Sequence, residues 1–148
     1  NMNEEQKHKF LMHFEKNDGW QLYFCVLGRM FAEGIDFRGE RLIGAVIIGV
    51  GLPQINPESD FVRDHFNAQG TDGYHYAYTF PGMNKVLQAM GRVIRTKKDK
   101  GILVLIDDRY ASPLYRSLMP PHYAHGRFIR NNLEIESLLT SFWNSSQD

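Results

Sequence analysis

Three short, nearly continuous apolar runs stand out along the chain. They cover residues 21–27, 43–50 and 101–106, and they consist mainly of aliphatic and aromatic residues. Apolar runs of this length without strict alternation are typical of strands covered on both faces, as in parallel sheets. Because helical patterns separate the runs, the sequence predicts an α/β fold with three layers, in which helices cover both faces of a mainly parallel sheet.

Five helices are predicted around these strands. The second begins at Pro57 after an Asn56 cap and ends near Ala68, and the third runs from Pro81 to about Arg95 after a polar loop over residues 71–79. The others cover residues 3–16, 110–118 and 133–143. Their candidate core residues are Phe10, Leu11 and Phe14 in the first helix and Leu133, Leu138, Leu139 and Phe142 in the last.

The third helix carries two stripes at helical spacing. Met83, Leu87, Met90 and Ile94 form an apolar stripe, which is the predicted core face. A second stripe, about 100° round the helix, contains Gln88, Arg92 and Arg95, with Gly91 between the two stripes. Glycine allows another backbone or a ligand to approach closely, and arginines three apart can close on phosphate oxygens. The alternative is an ordinary solvated basic face.

A second candidate segment, residues 31–37, follows the first predicted strand. In parallel sheets the loops after strands line the ligand crevice. Gly34 allows backbone amides to face a phosphate, and the carboxylates of Glu33 and Asp36 are suited to a ribose hydroxyl or an arginine. By itself the segment is also compatible with a common turn that carries two acids.

Taken together, the two segments resemble a known family. Glu33-Gly34-Ile35-Asp36-Phe37 follows one strand, Gly51-Leu52-Pro53 follows the next, and then come Gln88-x-x-Gly91-Arg92-x-Ile94-Arg95 and Asp99-x-Gly101. The pattern resembles the second RecA-like motor domain of superfamily 2 helicases, in the DinG/XPD-like branch, with its motif V (E-G-[IV]-D-F) and motif VI (Q-x-x-G-R-x-I-R). The resemblance covers about residues 22–109.

The resemblance implies an ATP site that two RecA-like domains share. Motif VI arginines would act on the γ-phosphate, with Arg95 as the arginine finger, Arg92 as its partner on the phosphates and Gln88 orienting one of them. Gly91 would permit the close approach. In motif V, Asp36 would reach the ribose or the arginines, with Glu33 beside it, and Gly34 would supply backbone contacts.

Parts of the family pattern are missing from this chain. It contains no G-x-x-x-x-G-K-[ST] phosphate loop and no D-E-A-H-like metal-binding motif. We therefore expect Mg²⁺ to be held by a separate first motor domain, and the chain to be a single-domain C-terminal fragment that is inactive alone. Residues 1–2 are predicted to be a remnant of cloning. No metal site is predicted, since His122 and His125 have no third ligand nearby in sequence.

Charge and composition narrow the expected partners. The 17 basic and 17 acidic residues balance, so any nucleic-acid contact must be local or shared with another domain. The candidates are Arg29, Arg38 and Lys97, for which a merely solvated position is the alternative. Single-stranded DNA is the predicted partner, with RNA open, and a cytoplasmic DNA repair role is expected. The alternative function is a helicase-like module that binds protein or nucleic acid without motor activity.

Overall fold

The computed structural model describes residues 5–6, 8–9, 12, 19–27, 42–96 and 98–145. The chain divides into two compact units, Asn1–Tyr110 and Ala111–Asp148. The prediction of a single domain over residues 1–148 stays a prediction. In the first predicted helix, residues 5, 6, 8, 9 and 12 are helical, while its candidate core residues Phe10, Leu11 and Phe14 lie outside the described residues.

Two parallel strands form the sheet of the described part of the first unit. β1 (Gly44–Ile48) pairs with β2 (Ile102–Ile106), with Gly44 opposite Ile102 and Ile48 opposite Ile106. Both strands lie within predicted apolar runs, so the parallel α/β prediction is confirmed. β1 ends at Ile48, and the next residue, Gly49, has a φ of 84° that turns the backbone out of the strand direction.

The two faces of this sheet differ in burial. Ile47 is buried, whereas its neighbours Val46 and Ile48 are 61% and 78% exposed. Successive side chains of a strand point to opposite faces, so the described residues cover one face and leave the other open. Helices were predicted on both faces of the sheet, and the described residues cover one of them.

The first predicted strand, over residues 21–27, is wrong. Residues 21–26 lie in neither helix nor strand, and Leu27 lies in a turn. Leu22 and Phe24 are 80% and 91% exposed. Residue types that favour strands produce one only where a neighbouring strand takes up their backbone hydrogen bonds, and the described sheet consists of β1 and β2 alone.

Between the strands lie two α-helices joined by a π-helix. α1 (Pro57–Ala68) has the predicted bounds, and the Asn56 side chain accepts a hydrogen bond from the Ser59 N–H at 2.8 Å. The predicted polar loop is wrong, because residues His75–Thr79 form a π-helix with Ala77, Tyr78 and Thr79 buried. Aromatic stacking accounts for helical structure in place of a loop: Tyr76 of the π-helix stacks on Phe66 of α1, with ring centroids 3.8 Å apart.

The central helix α2 (Phe80–Val93) packs on both strands. Of the predicted core stripe, Met83 and Met90 are buried, while Leu87 and Ile94 are only half-buried. The buried face of the helix is rotated from the predicted stripe, since Val86, Ala89 and Val93 are also buried.

The second unit contains short helices near its start and one longer helix. α3 (Pro113–Ser117) begins after Ser112, within the helix predicted over residues 110–118, and α4 covers Asn132–Asn144. The Asn131 side chain caps α4 by accepting from the Glu134 N–H at 2.9 Å. The predicted core role of Leu133 is wrong, since this side chain is 79% exposed. Leu138 and Leu139 are half-buried.

Candidate functional site

Three of the predicted site residues lie at the carboxyl end of α2. Gln88 is exposed, and Gly91 and Arg92 are half-buried, within the last two turns of the helix. Among the described residues, a Cβ added to Gly91 would meet no heavy atom within 4 Å outside the helix's own nearby backbone and its two chain neighbours. The last two turns of the helix therefore carry these polar residues, with open space among the described residues beside Gly91.

Arg95 lies beyond the helix, so its predicted place on the helical stripe is wrong. α2 ends at Val93, and Ile94 is extended, with φ −118° and ψ 103°. The carboxylate of Asp99 explains the ending: its Oδ2 accepts the N–H of Arg95 at 2.8 Å and that of Thr96 at 2.7 Å. These two N–H groups bond to a side chain instead of continuing the helical ladder.

The turn that carries Arg95 is held at both of its ends. The hydrogen bonds from the backbone N–H groups of Thr96 and Arg95 lower the pKa of the Asp99 carboxyl. Further along, a Cβ on Gly101 would lie 2.5 Å from Cγ1 of Val93 and 3.1 Å from the carbonyl oxygen of Ile43. Only glycine fits this close passage from the turn into β2, which fixes the turn against the end of α2.

The opposite edge of the sheet holds a second group of polar residues. Arg109 makes a bidentate pair with Asp107, with both N–O distances 2.8 Å, and its side-chain hydrogen bond lowers the pKa of the Asp107 carboxyl. The hydroxyl of Tyr110 donates to the carbonyl oxygen of Gly49 at 2.8 Å. This network joins the segments that follow β1 and β2.

The structure separates these two groups of residues. The amino end of α2 lies against the segment after β1, since a Cβ on Gly82 would be 2.6 Å from the carbonyl oxygen of Val50. The carboxyl end of α2 lies beside Gly101, where β2 begins. The arginines thus lie at the amino edge of the sheet, while Gly51-Leu52-Pro53 lies at the carboxyl edge with Asp107.

The remaining predicted site residues lie outside the described residues. These are the motif V residues Glu33, Gly34 and Asp36 and the candidate nucleic-acid contacts Arg29, Arg38 and Lys97. Their predicted roles stay predictions. Asp99 is the residue whose role the sequence analysis missed, although it belongs to the quoted pattern. The signal was present in its position four residues after Arg95, where a short acidic side chain can accept turn N–H groups.

Two kinds of feature are absent from the described part of the chain. It contains no group of three or more histidine, cysteine, aspartate or glutamate side chains that could hold a metal ion. None of its helices has the length and apolar character needed to cross a bilayer.

Comparisons with known proteins identify the family. A family model described as the helicase C-terminal domain matches residues 1–132. The chain is 34% identical, over 84% of its length, to a probable ATP-dependent helicase of Methanocaldococcus jannaschii, of which it covers 19%. It is 37% identical over 61% of its length to the ATP-dependent DNA helicase chl-1 of Caenorhabditis elegans, of which it covers 11%.

A third relative comes from the general transcription and DNA repair factor IIH. The chain is 35% identical, over 60% of its length, to the helicase subunit XPD of this factor from Dictyostelium discoideum, of which it covers 12%. The chain thus spans a fifth or less of the length of these relatives. The family's C-terminal domain is RecA-like, which agrees with the parallel β1–β2 pair and its covering helix. The chain belongs to the helicase C-terminal domain family, and its relatives are XPD-like helicases, as its motif pattern predicts.

Proposed function

We propose that this chain is the second motor domain of an ATP-dependent DNA helicase. In this proposal it supplies arginines to an ATP site shared with a first motor domain of the same protein, and it couples hydrolysis to translocation on single-stranded DNA. The relatives' names as ATP-dependent helicases support the first part. The name of the chl-1 protein as a DNA helicase supports the choice of nucleic acid.

The observation that carries the proposal is the surface at the end of α2. Gln88, Gly91 and Arg92 lie in its last two turns, Arg95 follows two residues after its end, and the described residues leave open space beside Gly91. A face that only stabilised the helix would gain from alanine at this position, because glycine costs about 1 kcal/mol within a helix. A glycine between Gln88 and Arg92 is consistent with a binding partner, such as a triphosphate, that approaches the helix backbone.

The chemistry that this surface supports is stabilisation of a phosphoryl-transfer transition state. Negative charge on the γ-phosphoryl oxygens is redistributed as the bond to the leaving group breaks, and a guanidinium matches these oxygens in geometry and charge. We assign this role to Arg95, a phosphate-holding role to Arg92 and an orienting role to Gln88. The Mg²⁺ that accompanies ATP is assigned to the first motor domain.

Motif V and its neighbours complete the proposal. Asp36, Glu33 and Gly34 are assigned to the nucleotide or to the motif VI arginines, and Arg29, Arg38 and Lys97 to the DNA backbone. Since these contacts are ionic and the chain has no net charge, its affinity for a single strand is expected to be weak and to fall steeply with added salt.

The deciding experiment is ATPase kinetics of the full-length protein with saturating single-stranded DNA. Arg95→Ala is expected to lower kcat by roughly 10³–10⁵-fold, the range of known arginine fingers, with a much smaller change in ATP affinity. Arg95→Lys is not expected to restore turnover, since a point charge cannot reproduce the planar fork. The exposed Arg127, in the second unit, serves as the matched control: Arg127→Ala should leave kcat unchanged.

Two outcomes would contradict the proposal. Near-normal turnover in both Arg95→Ala and Arg92→Ala would show that the end of α2 is outside any ATP site, and would favour the binding module without motor activity. Hydrolysis of ATP by this chain alone, at a rate that Arg95→Ala abolishes, would contradict the requirement for a first motor domain.

A further inference from the structure

The turn after α2 is organised around one carboxylate. Oδ2 of Asp99 accepts the N–H of Arg95 at 2.8 Å and the N–H of Thr96 at 2.7 Å. Within the same turn the Asp99 N–H donates to the carbonyl oxygen of Thr96 at 3.2 Å, and the Lys98 N–H donates to Oγ1 of Thr96 at 3.2 Å. Asp99 and Thr96 therefore hold each other in both directions.

These hydrogen bonds determine where the Arg95 side chain begins. Because Ile94 is extended, the Arg95 N–H lies outside the hydrogen-bond pattern of the helix, and it donates to the Asp99 carboxylate. A hydrogen bond to a charged oxygen is about twice as strong as one between neutral groups. Because the Arg95 N–H belongs to the peptide unit before Arg95 and the Thr96 N–H to the one after it, the two bonds fix both peptide planes that flank Arg95. They thereby fix the direction in which the Arg95 side chain leaves the backbone.

The far end of the turn, at Gly101, is held by close packing. Glycine at position 101 passes so close to Val93 and Ile43 that a Cβ there would lie 2.5 Å from Val93 Cγ1. The far end of the turn is thus held by packing, and the near end by Asp99. Asp99 itself remains ionised at neutral pH, since the Thr96 and Arg95 N–H groups lower its pKa.

We propose that Asp99 is a positioning residue for Arg95: by accepting the N–H groups of Arg95 and Thr96, it sets the backbone from which the guanidinium reaches the γ-phosphate. The proposal rests on the ATP-site function proposed above. Its physical premise is that a catalytic group must be held within about 0.5 Å of its working position, and that a displacement near 1 Å can cost about 10²-fold in rate.

The test compares three substitutions of Asp99 in the full-length protein, with DNA-stimulated kcat and KM for ATP as the readouts. Asp99→Ala removes the acceptor, and we expect kcat to fall by roughly 10–100-fold while KM changes by less than about threefold. Asp99→Asn keeps an oxygen at the same place and should retain kcat within about threefold. Asp99→Glu keeps the charge but moves the oxygen by one methylene, so its kcat should fall below that of Asp99→Asn.

The expected order of kcat among the three Asp99 variants distinguishes a role for the position of the accepting oxygen from a role for its charge. A purely electrostatic role would make Asp99→Glu the milder change and Asp99→Asn the harsher one, and that order would overturn the proposal. Asp72 provides the matched control, because its exposed carboxylate also accepts a backbone N–H, from Tyr74 at 3.0 Å, in a turn before α2. Asp72→Ala should leave kcat unchanged. If Asp99→Ala does not fold, the Asn and Glu pair still decides the question.

A double substitution tests whether Asp99 acts through Arg95. In an Arg95→Ala background, Asp99→Ala should cause no further loss of kcat, because the group that it positions is already absent. A full additional loss would overturn the proposal. The two proposals fail separately: normal turnover in both Arg95→Ala and Arg92→Ala contradicts the ATP-site function itself, whereas inactive Arg95→Ala with fully active Asp99→Ala contradicts only the role of Asp99.

Discussion

The two ends of α2 use glycine in opposite ways. At the amino end, a Cβ on Gly82 would lie 2.6 Å from the carbonyl oxygen of Val50 and 3.2 Å from the N atom of Leu52. At the carboxyl end, a Cβ on Gly91 would meet nothing within 4 Å outside the helix's own nearby backbone. The first glycine is required by packing within the fold, whereas the described fold places no packing requirement on the second.

This difference shows where to look for function on the helix. Close packing accounts for the glycine at position 82, so replacing it tests the stability of the fold. A glycine beside open space, such as Gly91, lowers helix stability relative to alanine, and the packing of its described neighbours does not require it. Its position between Gln88 and Arg92 agrees with the site proposed on that side. The difference therefore ties the amino end of α2 to the fold and supports the proposed ATP site at its carboxyl end.

The largest effect on stability is expected for Gly82→Ala. The new methyl would overlap the backbone of the segment after β1, and overpacking of this kind costs about 1–3 kcal/mol. Urea unfolding of the chain, followed by circular dichroism, measures the change. Gly91→Ala is the matched control, since it makes the same substitution in the same helix. Equal destabilisation by the two substitutions would contradict the comparison.

Gly91→Ala is expected to separate stability from activity. Alanine should raise helix stability by up to about 1 kcal/mol, since its Cβ meets open space. In the full-length protein the same methyl would occupy the space assigned to the nucleotide, so we expect DNA-stimulated kcat/KM for ATP to fall about tenfold, or 1.4 kcal/mol. ATPase kinetics and unfolding measurements on the same variant decide this. Unchanged kcat/KM would remove Gly91 from the proposed site.

The fold could be predicted where local sequence and packing agree. Pro57 with its Asn56 cap determines the start of α1, and the apolar runs around Ile47 and Leu105 predict both strands. The prediction failed at residues 21–27, because strand formation depends on a partner strand and not on residue type alone. It failed again at the π-helix, where the contact between Tyr76 and Phe66 outweighs the polar character of the segment.

The candidate site could be predicted as a set of residues but not as a geometry. The spacing of Gln88, Gly91 and Arg92 correctly places them along the last turns of one helix. Helical periodicity also placed Arg95 on this stripe, and this part was wrong. A periodic pattern does not show where a side chain will compete with the helix for backbone N–H groups. The acceptor is Asp99, outside the predicted helix, so the end of α2 depends on a contact that no periodic pattern records.

A smaller effect is expected at the carboxyl edge of the sheet from Tyr110→Phe. The substitution removes the hydroxyl that donates to the Gly49 carbonyl oxygen at 2.8 Å and keeps the buried ring. Loss of one such hydrogen bond costs about 1 kcal/mol. Urea unfolding measures the change, and ATPase activity should remain unaltered in the full-length protein. A loss of kcat without a loss of stability would show that this edge, as well as the end of α2, belongs to the site.

The smallest effect is expected at Asp107, and it depends on pH. The Arg109 side chain lowers the pKa of this carboxyl in the folded protein, so the folded state binds its proton less readily than the unfolded chain does. The stabilisation is therefore complete above the unfolded value, about 3.9, and it is lost as the pH falls through the lowered folded value. Because the pair is partly exposed, with Arg109 46% accessible, it should contribute less than about 1 kcal/mol. Unfolding free energies measured between pH 7 and pH 3 should fall less steeply at the acidic end in Asp107→Asn than in the unsubstituted chain. Parallel curves for the two proteins would show that the Asp107–Arg109 pair adds nothing to folding, and that this edge is held by Tyr110 without it.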